Sequence, residues 1–127
     1  MNVTLVNTLR KAGTRMVLLG WLLMSGCDSN EQVVRITAED FRFTPIEVQV
    51  SSDRPIRLRV VNQGREPHEF KSPLLAHQVG RQTEASTSLA VLPNQKAEAL
   101  IRTVPGMYIF YCAIRGHAGM SGTIIVN

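Results

Sequence analysis

Tyr111-Cys112-Ala113-Ile114-Arg115-Gly116-His117-Ala118-Gly119-Met120-Ser121-Gly122 closes one apolar run, residues 107–112, and opens onto another, residues 123–126. The stretch gathers a thiol, an imidazole and a thioether within the nine residues from Cys112 to Met120. Side chains alternate along a strand. Tyr108, Phe110 and Cys112 therefore share one face, and Met107, Ile109 and Tyr111 the other. Cys112 stands at the end of a strand, and Gly116, Gly119 and Gly122 let the following loop turn tightly. His117 and Met120 can then swing back toward Cys112. Soft sulfur with borderline imidazole nitrogen is a donor set that suits copper.

A fourth donor is available upstream. His68 lies 44 residues before Cys112, in Glu66-Pro67-His68-Glu69-Phe70. Between and around these points the chain reads as β throughout. Val33, Val34 and Ile36 begin a strand. Ile46, Val48 and Val50 alternate with polar residues, as do Ile56, Leu58 and Val60 with Arg57 and Arg59. This period of two marks strands with one buried face. Residues 88–92 and 97–103 read as two more strands, divided by Pro93-Asn94. Pro45, Pro55, Asn62-Gln63-Gly64 and Pro105-Gly106 punctuate them. Residues 74–81 form the least regular piece and have room for a turn of helix. Seven or eight short strands without an amphipathic helix predict an all-β fold, a Greek-key β-sandwich. No internal repeat or linker divides it.

The first 26 residues read differently. Arg10, Lys11 and Arg15 lead into an apolar run at residues 16–24. Nine residues are too few to span a bilayer, which takes about 20. The run has the size of a secretory h-region. Met24-Ser25-Gly26-Cys27 resembles the lipobox of bacterial lipoproteins, with Met24 where Leu is usual. That resemblance implies removal of residues 1–26 and lipidation of Cys27. Plain secretion and an uncleaved anchor are the alternatives. The expected organisation is a signal peptide over 1–26, a lipidated Cys27 with a short tether over 27–32, and one domain over 33–127. The protein would then be extracytoplasmic or periplasmic, held at the membrane by its lipid.

Removal of the leader changes the charge balance. Fourteen basic residues less three leave eleven, against ten acidic ones. A mature net charge near +1 carries no case for nucleic acid. Of the two cysteines, Cys112 is then alone in an oxidising compartment. A buried inert thiol is one account of its persistence, and a bound metal is the other.

The residues above resemble the cupredoxins, the small blue-copper proteins that include plastocyanin and azurin. The likeness covers residues 33–127. It is carried by Phe43-Thr44-Pro45, by Pro67-His68, and by residues 105–112 running into Gly116-His117 and Gly119-Met120. It implies one copper ion with His68, Cys112 and His117 as strong ligands and Met120 as the weak axial one. It also implies an electron port at His117, whose imidazole edge reaches the surface in that family. Tyr111 is a candidate second port, and Tyr108 matches a tyrosine that ties a corner. Glu69 stands where many relatives have Asn or Ser, which makes it a candidate to tune the ligands from behind. Arg115 replaces a common Pro. His77 follows no ligand pattern.

His68-Glu69-Phe70-Lys71-Ser72-Pro73 also resembles cupredoxin-like domains of bacterial iron-uptake systems. Two functions follow as expectations. The leading one is a monomeric one-electron carrier between redox protein partners. The other is a periplasmic metal-handling module for copper delivery or metal uptake. An enzyme is disfavoured, because Cys112 and His117 lack a third orienting residue. Zinc would accept the same donors. A binuclear copper site needs a second loop cysteine, and none is present.

Overall fold

The computed structural model describes residues 30–80 and 87–127. The leader over 1–26, Cys27 and Asp28 lie outside the described residues. No helix among the described residues is long and apolar enough to cross a membrane.

Nine strands run in order among these residues: β1 Gln32–Glu39, β2 Arg42–Thr44, β3 Glu47–Val50, β4 Ile56–Asn62, β5 His68–Lys71, β6 Ser88–Val91, β7 Lys96–Ile101, β8 Gly106–Cys112 and β9 Ser121–Val126. They form two packed sheets, β2-β1-β4-β7 and β3-β9-β8-β5-β6. The expected sandwich is present, with nine strands rather than seven or eight. The strands not read from the sequence are β2 and β5, whose three and four residues are too short to show a clear alternation. Residues 74–81 begin inside a 3-10 turn, Pro73–His77, capped by the Ser72 hydroxyl accepting from Leu74 N–H at 3.3 Å.

Alternation places one row of each strand in the interior. Val34, Ile36 and Ala38 of β1 face inward with Ile56, Leu58 and Val60 of β4, and each is buried. Phe70, Phe110 and Ile124 do the same from the second sheet. Phe43, Phe70 and Phe110 make the plug of this core, with ring centroids 5.0 to 5.6 Å apart. Fully burying one such ring contributes about 2–3 kcal/mol. Tyr108 ties the expected corner: its hydroxyl donates to the Val104 carbonyl at 3.0 Å and lies 2.8 Å from Thr103 Oγ1.

The sandwich has two distinct poles. At one, Gln32 N donates to Pro55 O and Ser52 N to Asn127 O. At the other, the ends of β1 and β4 meet the turn after β8. The β1–β2 corner, residues 62–67 and the loop of residues 113–120 all gather there. The candidate donors lie at this second pole.

Candidate metal centre

His68 opens β5 and is 1% exposed. Two polar side chains hold the loop that delivers it. The Asn62 amide, itself buried, donates to Glu66 O at 2.7 Å and to Val91 O at 2.9 Å. Its oxygen accepts from Gly64 N–H at 2.9 Å. Asp40 accepts from Arg65 N–H at 2.8 Å and Glu66 N–H at 3.4 Å. The Arg65 N–H first, with Glu66 and the Arg65 side chain adding to it, holds the Asp40 carboxyl below its usual range. In the sequence Asn62 reads only as part of a turn. Its buried bonding depends on β6, which periodicity does not bring near it.

Cys112 ends β8, and Phe70 of β5 sits opposite it in register. The loop closes behind it: Cys112 N donates to Met120 O at 3.0 Å, His117 N to Ile114 O at 3.2 Å, and Met120 N to His117 O at 3.2 Å. Gly116 and Gly119 adopt φ of 94° and 88°, which glycine takes without penalty. Cys112, His117 and Met120 are all buried.

The result is a compact cluster. His117 Nδ1 lies 3.4 Å and His68 Nδ1 3.8 Å from Cys112 Sγ. The donor atoms of the three residues all lie within 4.8 Å of one another. Bonds of about 2.0–2.3 Å to one ion put its ligands roughly 3.3–4 Å apart, so the cluster has the span of a single metal site. Burial first, and His117 after it, push His68 below the ordinary imidazole range. That favours the neutral ring a metal requires. His68 Nε2 is buried and makes no hydrogen bond among the described residues. Packing therefore holds the ring, with Phe43 at 6.4 Å and His117 at 5.0 Å between centroids.

The His117 edge does not stand open at the surface. It is 7% exposed, and the Phe41 ring leans against it, centroid to centroid 5.3 Å and at 73°. Glu69 points to the outer face of β5, as alternation requires when His68 and Phe70 point in. Its carboxylate makes no hydrogen bond or ion pair among the described residues. Its main-chain oxygen does connect the two ligand-bearing segments, accepting from Ala113 N at 2.9 Å. Tyr111 is exposed on the outer face of β8 and lines a cleft of about 270 Å³ with Lys71, Ser72, Pro73, Ala76 and Thr87. His77 is exposed, with its ring edge toward Tyr108 at 6.2 Å.

The family model of the cupredoxin-like domain matches residues 14–126. The chain is a member of the cupredoxin-like family. Its fold is similar to that of auracyanin B, with 23% identity, a TM-score of 0.58, and 76% of this chain and 88% of that one covered. It is also similar to dithionite-reduced auracyanin from the photosynthetic bacterium Roseiflexus castenholzii, at 15% identity and TM-score 0.60 over 76% and 97%. A third is auracyanin A, a "blue" copper protein from the green thermophilic photosynthetic bacterium Chloroflexus aurantiacus, at 17% identity and TM-score 0.60 over 76% and 99%. By sequence, no curated protein matches this chain. Two imidazoles and a thiol on this cupredoxin frame, with Met120 buried beside them, fit a single type 1 copper ion.

Proposed function

We propose that this chain is a mononuclear blue copper protein that carries single electrons between extracytoplasmic redox partners. In this reading His68, Cys112 and His117 are the strong ligands and Met120 the weak axial one. The observation that carries it is the buried cluster itself, with both Nδ1 atoms turned to Cys112 Sγ at 3.4 and 3.8 Å. A bound copper ion supplies a couple that takes up and gives back one electron. The chain supplies the rest. The strand ends of β5 and β8 fix His68 and Cys112, so the ligands do not rearrange with each electron. The Phe43, Phe70 and Phe110 plug keeps water from the inner side. Cys112 as thiolate is the strongest donor and the connection into β8.

The other elements of the reading are an acylated Cys27, attachment to a membrane surface and action as a monomer. The likeness to auracyanin A, described as a "blue" copper protein, supports the copper part of this reading. The metal-handling alternative gains nothing from Glu69, which faces away, and rapid ion transfer is poorly served by ligands this deeply buried.

The test is the optical and EPR spectrum of the purified protein loaded with Cu(II). An intense thiolate-to-copper band that bleaches reversibly on reduction is expected. Its survival in Cys112→Ser, or its absence from the wild type, refutes the assignment. Mass spectrometry of protein recovered from membranes tests the lipid on Cys27.

A further inference from the structure

Phe41 is costly where it stands. It follows Asp40 at the corner between β1 and β2 with φ of 66°, in the left-handed region that side chains rarely enter. It is also 64% exposed, so it buries little apolar surface in return. The corner is fixed on both sides of it. Asp40 is held by the Arg65 and Glu66 amides, and Arg42 opens β2 and pairs with Glu39. Glycine or asparagine at this position would make the same corner with less strain. The ring partner of Phe41 is His117, met edge-on at 5.3 Å. A strained backbone that persists at a site edge points to a function there.

Resting on the copper reading above, we propose that Phe41 is a positioning residue for the metal centre: an aromatic cover that fixes the His117 imidazole and bars water from it. The physical effect has a definite sign. Two neutral imidazoles and one thiolate leave the oxidised centre with a net positive charge and the reduced centre neutral. Water stabilises the charged form more, so a cover that excludes water favours the reduced form. Edge-to-face aromatic pairs have a strength worth roughly two- to tenfold in an equilibrium. The ligand they steady should be released more slowly by about that factor.

The experiment compares wild type with Phe41→Tyr, Phe41→Leu and Phe41→Gly, both metal-free and copper-loaded. In the metal-free proteins, ring-proton NMR of His117 should show a ring-current shift in wild type and Phe41→Tyr. It should be lost in Phe41→Leu and Phe41→Gly. Relief of the strained φ and the greater freedom of unfolded glycine nearly cancel, so the thermal midpoint of metal-free Phe41→Gly should stay within about 4 °C of wild type. In the loaded proteins, Phe41→Leu and Phe41→Gly should release copper to a chelator roughly two- to tenfold faster. Their equilibrium with a one-electron reference couple should shift about threefold toward oxidised, or about 28 mV. Phe41→Tyr should stay within about twofold of wild type.

The proposal is overturned if Phe41→Leu matches wild type in release and potential. It is equally overturned if metal-free Phe41→Gly unfolds more than about 8 °C lower with release unchanged, which marks an ordinary fold contact. A wild type with no thiolate-to-copper band strikes the copper reading instead. The metal-free NMR shifts still decide whether Phe41 holds His117.

Discussion

The Asn62 amide makes a quantitative test of how the fold serves the site. It is 1% exposed and fills three hydrogen-bonding roles at the mouth of β4. Replacement by alanine strips the buried Val91 carbonyl of a partner, which costs about 1–3 kcal/mol. The bonds to Glu66 O and from Gly64 N are partly buried and contribute about 0.5–1.5 kcal/mol each. Asn62→Ala should therefore destabilise the metal-free protein by about 3 kcal/mol. For a domain of this size that is a fall of roughly 12–24 °C in Tm. Asn62→Asp adds a diagnostic sign. It keeps an acceptor for Gly64 N but turns a carboxylate on two carbonyl oxygens. It should be at least as destabilised at pH 7, and should recover part of the loss in acid, where the protonated acid donates again. Because residues 62–67 deliver His68, NMR signals of its ring should broaden or shift in both variants. Differential scanning calorimetry and urea titration measure the effect. A loss under about 1 kcal/mol, or an aspartate variant more stable than the alanine one at pH 7, would refute the clamp.

Three further outcomes are expected. Burial holds the folded-state pKa of His68 below its unfolded value. The unfolded chain thus takes up the proton first, so the metal-free protein should be insensitive to pH above about 6.5 and lose stability below it. Urea midpoints across pH 5–8 check this, and His68→Phe should flatten that slope. At Gly122 an added Cβ would run into the Phe110 ring and the Ile46 carbonyl, so Gly122→Ala should cost about 2–3 kcal/mol in thermal unfolding, whereas Gly106→Ala, facing only the Tyr108 ring, should cost under about 1. Glu69→Gln should leave the copper absorption band and reduction potential unchanged, since the carboxylate faces away from the cluster; a shifted band contradicts that orientation.

What the sequence reveals follows the range of its signals. Period-two alternation in Ile56-Arg57-Leu58-Arg59-Val60 is a local property, and β4 forms where it predicts, burying the apolar row. Cys112, His117 and Met120 are legible for the same reason, being nine residues of one loop. His68 is different. At 44 residues from Cys112 it reads as a candidate donor, but only the family likeness ties it to the other three, and the structure brings it to the cluster through the β5–β8 pairing. Phe41 and Asn62 gave no such signal. One looks like a corner aromatic and the other like a turn residue, and their roles exist only through partners on other strands. The burial of His117 leaves no local trace either, since its ring neighbours Phe41 and His68 come from distant parts of the chain. The parallel pairings β1 with β4 and β3 with β9 were likewise hidden, since register between distant strands leaves no local trace.

The two poles of the sandwich carry a practical consequence. β1 begins at Gln32 beside Pro55 and runs eight residues toward Phe41, a length of roughly 26 Å. Anything joined ahead of Gln32, whether a fatty chain, a resin or a gold surface, grips the molecule by its foot. The face bearing Phe41 and His117 lies at the opposite end and stays clear of that attachment.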